Sequence, residues 1–310
     1  MFVLWIGVLI VGVTIAAFGS SLAVNSALEA SEELGISAGF IGVTVMAIGT
    51  DLPEIANSIV AAFSGDGDVL VGDSAGSAFT QVTLVMGILC VASVITADRP
   101  SIAALGLLTV GALAVVAIFV QDGVFSRTEG LILVGAWVGA VIVTYLVAPP
   151  ADGDGHDGSA RAAAPHAFRS LGWLAIVAVA STVVVESFVQ VTDSIGVPQL
   201  VASAVVLSLG TSLPELVVDL TALRRGAIAL ALGDLFGSSL LDSTLAIGSG
   251  PALRTTEVSP EGAAVCLIAA VGVAGATLIV MRRRSHHFVS AALLFVLYGA
   301  VTAWLIVATT

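Results

Sequence analysis

Two short motifs, each present twice, contain the residues most able to bind metal ions. The first is Ile-Gly-Thr-Asp-Leu-Pro-Glu at 48–54, which matches Leu-Gly-Thr-Ser-Leu-Pro-Glu at 209–215. The second is Gly-Asp-Ser-Ala-Gly-Ser at 72–77, which matches Gly-Asp-Leu-Phe-Gly-Ser at 233–238. Both motifs recur after 161 residues, with no insertion between them. This constant offset predicts an internal duplication.

Each copy of the first motif offers three kinds of oxygen atom. A glutamate supplies a carboxylate, a threonine supplies a hydroxyl, and a proline, which has no N–H, is expected to leave backbone carbonyl groups one turn earlier without partners. Hard cations such as calcium and sodium prefer all-oxygen sets of this kind. The residues concerned are Ala47, Thr50, Pro53 and Glu54 in the first copy and Ser208, Thr211, Pro214 and Glu215 in the second.

The second motif adds further oxygen donors. Ser77 and Ser238 follow a glycine, and four residues later, on the same helical face, stand Gln81 and Asp242. Two glutamates, one aspartate and several neutral oxygens together predict a calcium site. Because carboxylates are expensive to place in hydrocarbon, acids within apolar segments are functional candidates by default.

The surrounding composition is that of a membrane protein. Of 310 residues, 58% are hydrophobic and only 10% are charged, which leaves too little polar surface for a water-soluble domain. A membrane-spanning helix needs about 20 apolar residues. We therefore expect an all-α integral membrane protein with ten transmembrane helices, at 2–28, 37–63, 69–95, 101–120, 128–148, 170–192, 197–222, 226–250, 259–281 and 287–308.

The duplication divides the chain into two five-helix repeats, 1–148 and 170–310, joined by a linker at 149–169. Because five is odd, the second repeat enters the membrane inverted. The loop after the first motif, at 64–68, is acidic, whereas its counterpart contains Arg224 and Arg225. Inverted repeats with interrupted helices are typical of secondary transporters, with the binding site at the midplane.

Arginine distribution predicts the orientation. With both termini extracellular, only Arg127 and Arg254 lie outside, and the linker is cytoplasmic. The positive-inside rule favours this arrangement, in a multi-pass protein of the cell membrane. The arginines on the cytoplasmic side are then Arg99, Arg161, Arg169, Arg224, Arg225, Arg282, Arg283 and Arg284.

All ten basic residues are arginine, and 22 acids bring the net charge to −12. Acid-rich loops without lysine suit a protein that works in high salt, because screening removes the repulsion between carboxylates. We infer a haloarchaeal source with abundant external sodium. GC-rich codon usage, which replaces lysine by arginine, is the alternative.

The motifs, the helix number and the central linker resemble those of the sodium/calcium exchangers in the cation/calcium exchanger superfamily. The resemblance implies an antiporter, not an enzyme, that exchanges calcium for sodium by alternating access and needs no cofactor. It implies ions held between helices two, three, seven and eight, while helices one and six slide past. Expected partners are inorganic cations and membrane lipid, with no nucleic acid and no obligatory protein. The implied ligands are Ala47, Thr50, Asp51, Glu54, Ser77, Gln81, Ser208, Thr211, Ser212, Glu215, Ser238 and Asp242.

Several residues depart from the pattern that the resemblance implies. Asp51 stands where serine is expected and Gln81 where asparagine is usual. Asp51 and Glu54 are three residues apart on one helical face, so their charges repel each other. This acidity makes calcium/proton exchange the alternative function. The roles of Asp73, Asp219 and Asp234 are left open between helix capping and ion passage.

Two other functions are less well supported. A passive cation channel fits two opposed copies of one site less well than alternating access does. An intramembrane aspartyl protease is suggested by Gly233-Asp234 and by Pro-Ala-Leu at 251–253, which resemble the Gly-X-Gly-Asp and Pro-Ala-Leu signatures of those enzymes. Ala231 stands where that signature needs its first glycine.

Overall fold

The computed structural model describes residues 2–96, 98–147, 160–194 and 212–308, which are almost entirely helical. In these residues eight helical stretches are long and apolar enough to cross a membrane, and one bent helix pair makes a ninth. The first part of the chain contains α1 (Phe2–Leu34), α2 (Ala38–Ile41), α3 (Ala47–Thr50), α4 (Leu52–Ser64), α5 (Gly67–Thr80), α6 (Met86–Ala92), α7 (Arg99–Phe119) and α8 (Arg127–Val147).

The second part of the chain has the same kinds of element. The prediction of an all-helical membrane protein is confirmed, whereas the predicted span at 197–222 is described only from residue 212 onward. The helices are α9 (Ala160–Ser194), α10 (Leu213–Arg224), α11 (Ile228–Leu241), α12 (Ile247–Leu253), α13 (Glu261–Arg282) and α14 (Phe288–Ala308).

Three stretches of the described chain change from α-helix to π-helix for five residues. The π-helical segments are Gly42–Met46 between α2 and α3, Gln81–Val85 between α5 and α6, and Asp242–Ala246 between α11 and α12. A π-helical turn shifts the backbone hydrogen bonds by one residue and is frequent at functional sites. Gln81 and Asp242 are the first residues of their segments.

A sharper break lies in the first motif. The axis bends by 48° between α3 and α4, and Asp51 at the junction has φ −86° and ψ 11°. Pro53 and Pro214 lie in the first turns of α4 and α10, where a missing N–H removes no helical hydrogen bond. Ser212, before α10, has nearly the same backbone angles as Asp51, φ −95° and ψ 16°.

Four two-residue strands tie the loops together. They are β1 (Ile95–Thr96), β2 (Val124–Phe125), β3 (Thr256–Glu257) and β4 (Ser285–His286). β1 pairs with β4 and β2 pairs with β3, both antiparallel. Each pair therefore joins one loop from each half of the chain.

The start of α9 differs from the prediction. The helix begins at Ala160, so that residues 160–169, predicted as part of the linker, are helical, and residues 148–159 lie outside the described residues. Four alanines among the first five residues of α9 favour helix strongly. They outweigh Pro165, which lies inside the helix.

Helix α11 lies at the centre of the bundle, and residues 230–241 are all buried. Glycines let it approach its neighbours: a Cβ atom at Gly233 would lie 2.1 Å from the carbonyl oxygen of Gly39, and one at Gly237 would lie 2.5 Å from Cα of Val43. Such small residues allow close backbone contact between membrane helices. In contrast, α1 and α9 pack mainly against each other and are less buried.

Candidate functional site

Three carboxylates meet near the bend between α3 and α4 and the start of α10. One oxygen each from Asp51, Glu54 and Glu215 lies within 4.8 Å of the other two, and all three side chains are buried. Glu54 and Glu215 lie in the first turns of α4 and α10. The positive ends of two helix dipoles are therefore near the carboxylates, which favours their negative charge. The bend between α3 and α4 and the start of α10 thus bring these acids together.

The hydrogen-bonding capacity of these carboxylates is largely unused. No described residue donates to either oxygen of Glu54, to either oxygen of Glu215, or to Oδ2 of Asp51. A buried charge that has neither an ion pair nor hydrogen bonds is very unfavourable. A cation between the carboxylates would supply the missing partner, because hard cations take carboxylate oxygens as ligands.

Gln81 connects the first cluster to a fourth acid. Its Nε2 atom donates to Oδ1 of Asp51 at 3.4 Å and to Oδ2 of Asp242 at 3.1 Å. Oδ1 of Asp242 and Oε1 of Gln81 have no partner among the described residues. Both remaining oxygens are therefore free to bind an ion. The π-helical segments place Gln81 and Asp242 opposite each other in the centre of the bundle.

The hydroxyl groups are less uniform. Thr50 Oγ1 donates to the carbonyl of Met46 at 3.1 Å and lies 3.3 Å from Ser238 Oγ, so it is partly engaged within the bundle. Ser212 Oγ is buried and has no partner among the described residues. Ser77 is buried as well. A hydroxyl group has two lone pairs, so Thr50 can donate and still face a cation.

Ala47 differs from the prediction in its backbone contacts. Its carbonyl was expected to have no partner, but it accepts the N–H of Asp51 at 3.0 Å. The reason is positional: a missing N–H at Pro53 would affect the carbonyl of Gly49, four residues earlier. The second lone pair of the Ala47 carbonyl is still available to a cation. Ser208 and Thr211, the corresponding candidates in the second motif, lie outside the described residues.

Three other aspartates do not cap helices, which makes that half of the prediction wrong. Asp73, Asp219 and Asp234 lie inside α5, α10 and α11, and the residues before those helices are Asp66, Ser212 and Ala227. Asp219 and Asp234 are fully buried. The repeated motif gave a signal for Asp234, but nothing in the sequence paired it with Asp219.

The chain resembles known transporters over most of its length. The family described as sodium/calcium exchanger protein matches residues 4–146 and 167–307. The putative antiporter CaxA of Alkalimonas amylolytica is 28% identical over 78% of this chain and 78% of its own. The sodium/calcium exchanger MaX1 of Methanosarcina acetivorans is 24% identical over 78% of this chain and 81% of its own.

A solved structure has the same fold. The structure of the sodium-calcium exchanger NCX_Mj soaked with 10 mM Na⁺ and zero Ca²⁺ superposes with a TM-score of 0.79. The alignment covers 98% of this chain and 99% of that chain, at 24% sequence identity. The likeness therefore extends over the whole helical bundle.

Proposed function

The chain belongs to the sodium/calcium exchanger protein family, and from this we propose that it is an antiporter that exchanges sodium for calcium across the cell membrane. As a member of this family it is a multi-pass membrane protein and a cation/calcium antiporter, and not an enzyme. The exchange of these two ions in particular is the step that we add.

One observation carries the proposal: Asp51, Glu54 and Glu215 bring carboxylate oxygens within 4.8 Å of one another, with most of those oxygens unpartnered. We assign calcium to the space between Glu54 and Glu215. Asp242 and carbonyl groups of the broken helices complete its shell. Sodium ions bind in flanking subsites that share the same carboxylates, so that the two ions exclude each other, as coupled exchange requires.

The full ligand set in our proposal is the one that the two motifs supply. Carboxylates hold calcium, and hydroxyl, amide and carbonyl oxygens complete the calcium and sodium subsites. We assign no resident cofactor, because the transported ions are themselves the substrates. The ligands are Ala47, Thr50, Asp51, Glu54, Ser77 and Gln81 from the first repeat and Ser208, Thr211, Ser212, Glu215, Ser238 and Asp242 from the second.

We further propose ten helices in two inverted repeats, 1–148 and 170–310. The π-helical segments that start at Gln81 and Asp242 support this, since their first residues are 161 positions apart. Gln81 also donates to Asp242, and Ser239 donates to the carbonyl of Ala78, again 161 positions away. Residues that contact their own counterparts lie on a two-fold axis.

The strand pairs support the same symmetry. β1 and β3 begin 161 positions apart, as do β2 and β4. Exchanging the two halves therefore converts the β1–β4 pair into the β3–β2 pair. In this proposal the tenth span is the one predicted at 197–222, and both termini are extracellular.

Calcium/proton exchange is the second candidate function, and Asp51 favours it. Asp51 is fully buried beside Glu215 and Asp242, and its Oδ2 atom has no partner among the described residues. Four carboxylates in one buried site repel one another unless cations or protons neutralise them. A proton on this cluster would give proton coupling.

Competition between the ions tests the shared-ligand scheme. We expect sodium to displace calcium-45 from the purified protein cooperatively, and potassium at equal ionic strength to displace at least about tenfold less. The reason is that sodium occupies the calcium carboxylates, whereas potassium only screens them. Equal displacement by both salts would contradict shared ligands.

A further inference from the structure

Two buried aspartates lie next to the ion site but outside its ligand set. Asp219 on α10 and Asp234 on α11 are both fully buried, and they lie close enough to interact where α10 packs against α11. Neither residue has a counter-ion: the described ion pairs are those that Glu29 forms with His166 and Arg169. The pair is therefore an uncompensated acidic centre inside the bundle.

The carboxyl groups are also short of hydrogen-bond donors. No described residue donates to either oxygen of Asp219 or to Oδ2 of Asp234. Oδ1 of Asp234 lies 3.4 Å from Thr50 Oγ1, but the single hydroxyl proton of Thr50 is already directed at the carbonyl of Met46. Two acceptor groups in contact need something positive between them, which is either a shared proton or a cation.

The position of the pair relates it to the central site. Asp219 follows Glu215 by four residues on α10, and Asp234 precedes Ser238 by four residues on α11, so each lies one helical turn away on the same face. One turn is about 5.4 Å. Thr50 connects the aspartate pair to the central site, since its hydroxyl contacts both Asp234 and Ser238. The pair thus lies one turn from Glu215, toward Arg224.

The other end of the bundle has no such pair. The residues 161 positions earlier are Ser58 and Asp73. Ser58 accepts the N–H of Gly250 at 3.1 Å, and Asp73 accepts from Asn57 at 3.2 Å. Asp73 is also only partly buried. Asp73 is therefore a matched control for Asp234.

We propose that Asp219 and Asp234 form a second calcium-binding site, which lies between the central site and the Arg224 end of α10. This second site deepens the proposed function and rests on it, because it lies on the same calcium pathway as the central site. Two carboxylates supply the charge that neutralises a divalent ion. Thr50 Oγ1 contacts Asp234, and Ser238 Oγ lies 3.3 Å from Thr50 Oγ1, so that these hydroxyl oxygens supply neutral ligands, which suits a hard cation.

The number of calcium ions bound per protein tests whether the second site exists. Calcium-45 binding to the purified full-length protein in sodium-free buffer is measured for four variants. We expect E54Q/E215Q to lose the central calcium and keep one ion, and D219N/D234N to bind one ion fewer than wild type. The quadruple variant should bind none, and D73N should bind as many ions as wild type.

Thermal melting provides a second readout that does not depend on the count. Calcium should raise the Tm of E54Q/E215Q and leave that of the quadruple variant unchanged, because a ligand stabilises only the protein that binds it. If E54Q/E215Q binds no calcium, or if D219N/D234N binds as much as wild type, Asp219 and Asp234 share a proton and do not form a second calcium site. Because no flux is measured, a failure of sodium/calcium exchange would leave this count unchanged.

Discussion

E54Q and E215Q should each reduce sodium-driven calcium uptake by about a hundredfold or more. Each substitution replaces a buried carboxylate with a neutral amide of almost the same shape, so the packing is kept and the charge is lost. Breaking a buried charge interaction costs about 3–5 kcal/mol, and about 1.4 kcal/mol corresponds to tenfold in an equilibrium constant. Calcium-45 uptake into sodium-loaded proteoliposomes measures the loss.

Glu129 provides the control for the same chemical change. It accepts hydrogen bonds from the N–H and the hydroxyl of Ser126 at the start of α8, outside the ion site. E129Q should keep uptake within about twofold of wild type, because only a helix-end hydrogen bond changes. If E54Q and E215Q both retained more than half of wild-type uptake, the site would be wrongly placed.

A disulfide between cysteines introduced in place of Ser20 and Thr221 should stop transport almost completely. Ser20 Oγ lies 2.9 Å from Thr221 Oγ1, and this contact links α1 to α10. The predicted helices one and six correspond to α1 and α9. If these two helices slide past the ion-binding helices, a covalent link between α1 and α10 holds the ion site open to one side of the membrane only. Oxidation of S20C/T221C is expected to abolish uptake, and reduction is expected to restore it.

The control joins two helices that should move together. A Cβ atom at Gly19 would lie 3.0 Å from Cγ2 of Val177, so G19C/V177C links α1 to α9. We expect this link to leave uptake within about twofold. The native Cys90 and Cys266 are buried, and single-cysteine variants show whether they take part. Full uptake after complete oxidation of S20C/T221C would contradict sliding of α1 against α10.

Much of the fold could be predicted from composition and spacing. A membrane-spanning helix needs a long apolar stretch, and loops of charged residues mark its ends, so the helices stand out in the sequence. The duplicated motif located Glu54 and Glu215, which the structure brings together with Asp51. The prediction started α9 too late because two arginines, a histidine and Pro165 interrupt the apolar pattern before residue 170, whereas the alanines between them favour helix.

The finer geometry could not be predicted from the sequence. No residue type marks a π-helical turn, so the opposed positions of Gln81 and Asp242 emerge only from the folded bundle. The contact between Asp219 and Asp234 depends on how α10 packs against α11, and helix spacing alone says nothing about neighbours. The Ala47 carbonyl was misjudged because the N–H that it accepts belongs to Asp51, at the break itself.

The most direct test of sodium/calcium exchange is calcium-45 uptake by wild type and D51S under three separate gradients, of sodium, of potassium and of protons. We predict that only an outward sodium gradient drives wild-type uptake, and that D51S retains sodium coupling because Glu54, Glu215 and Asp242 still bind calcium. Uptake driven only by the proton gradient, and lost in D51S, would contradict the account and establish calcium/proton exchange.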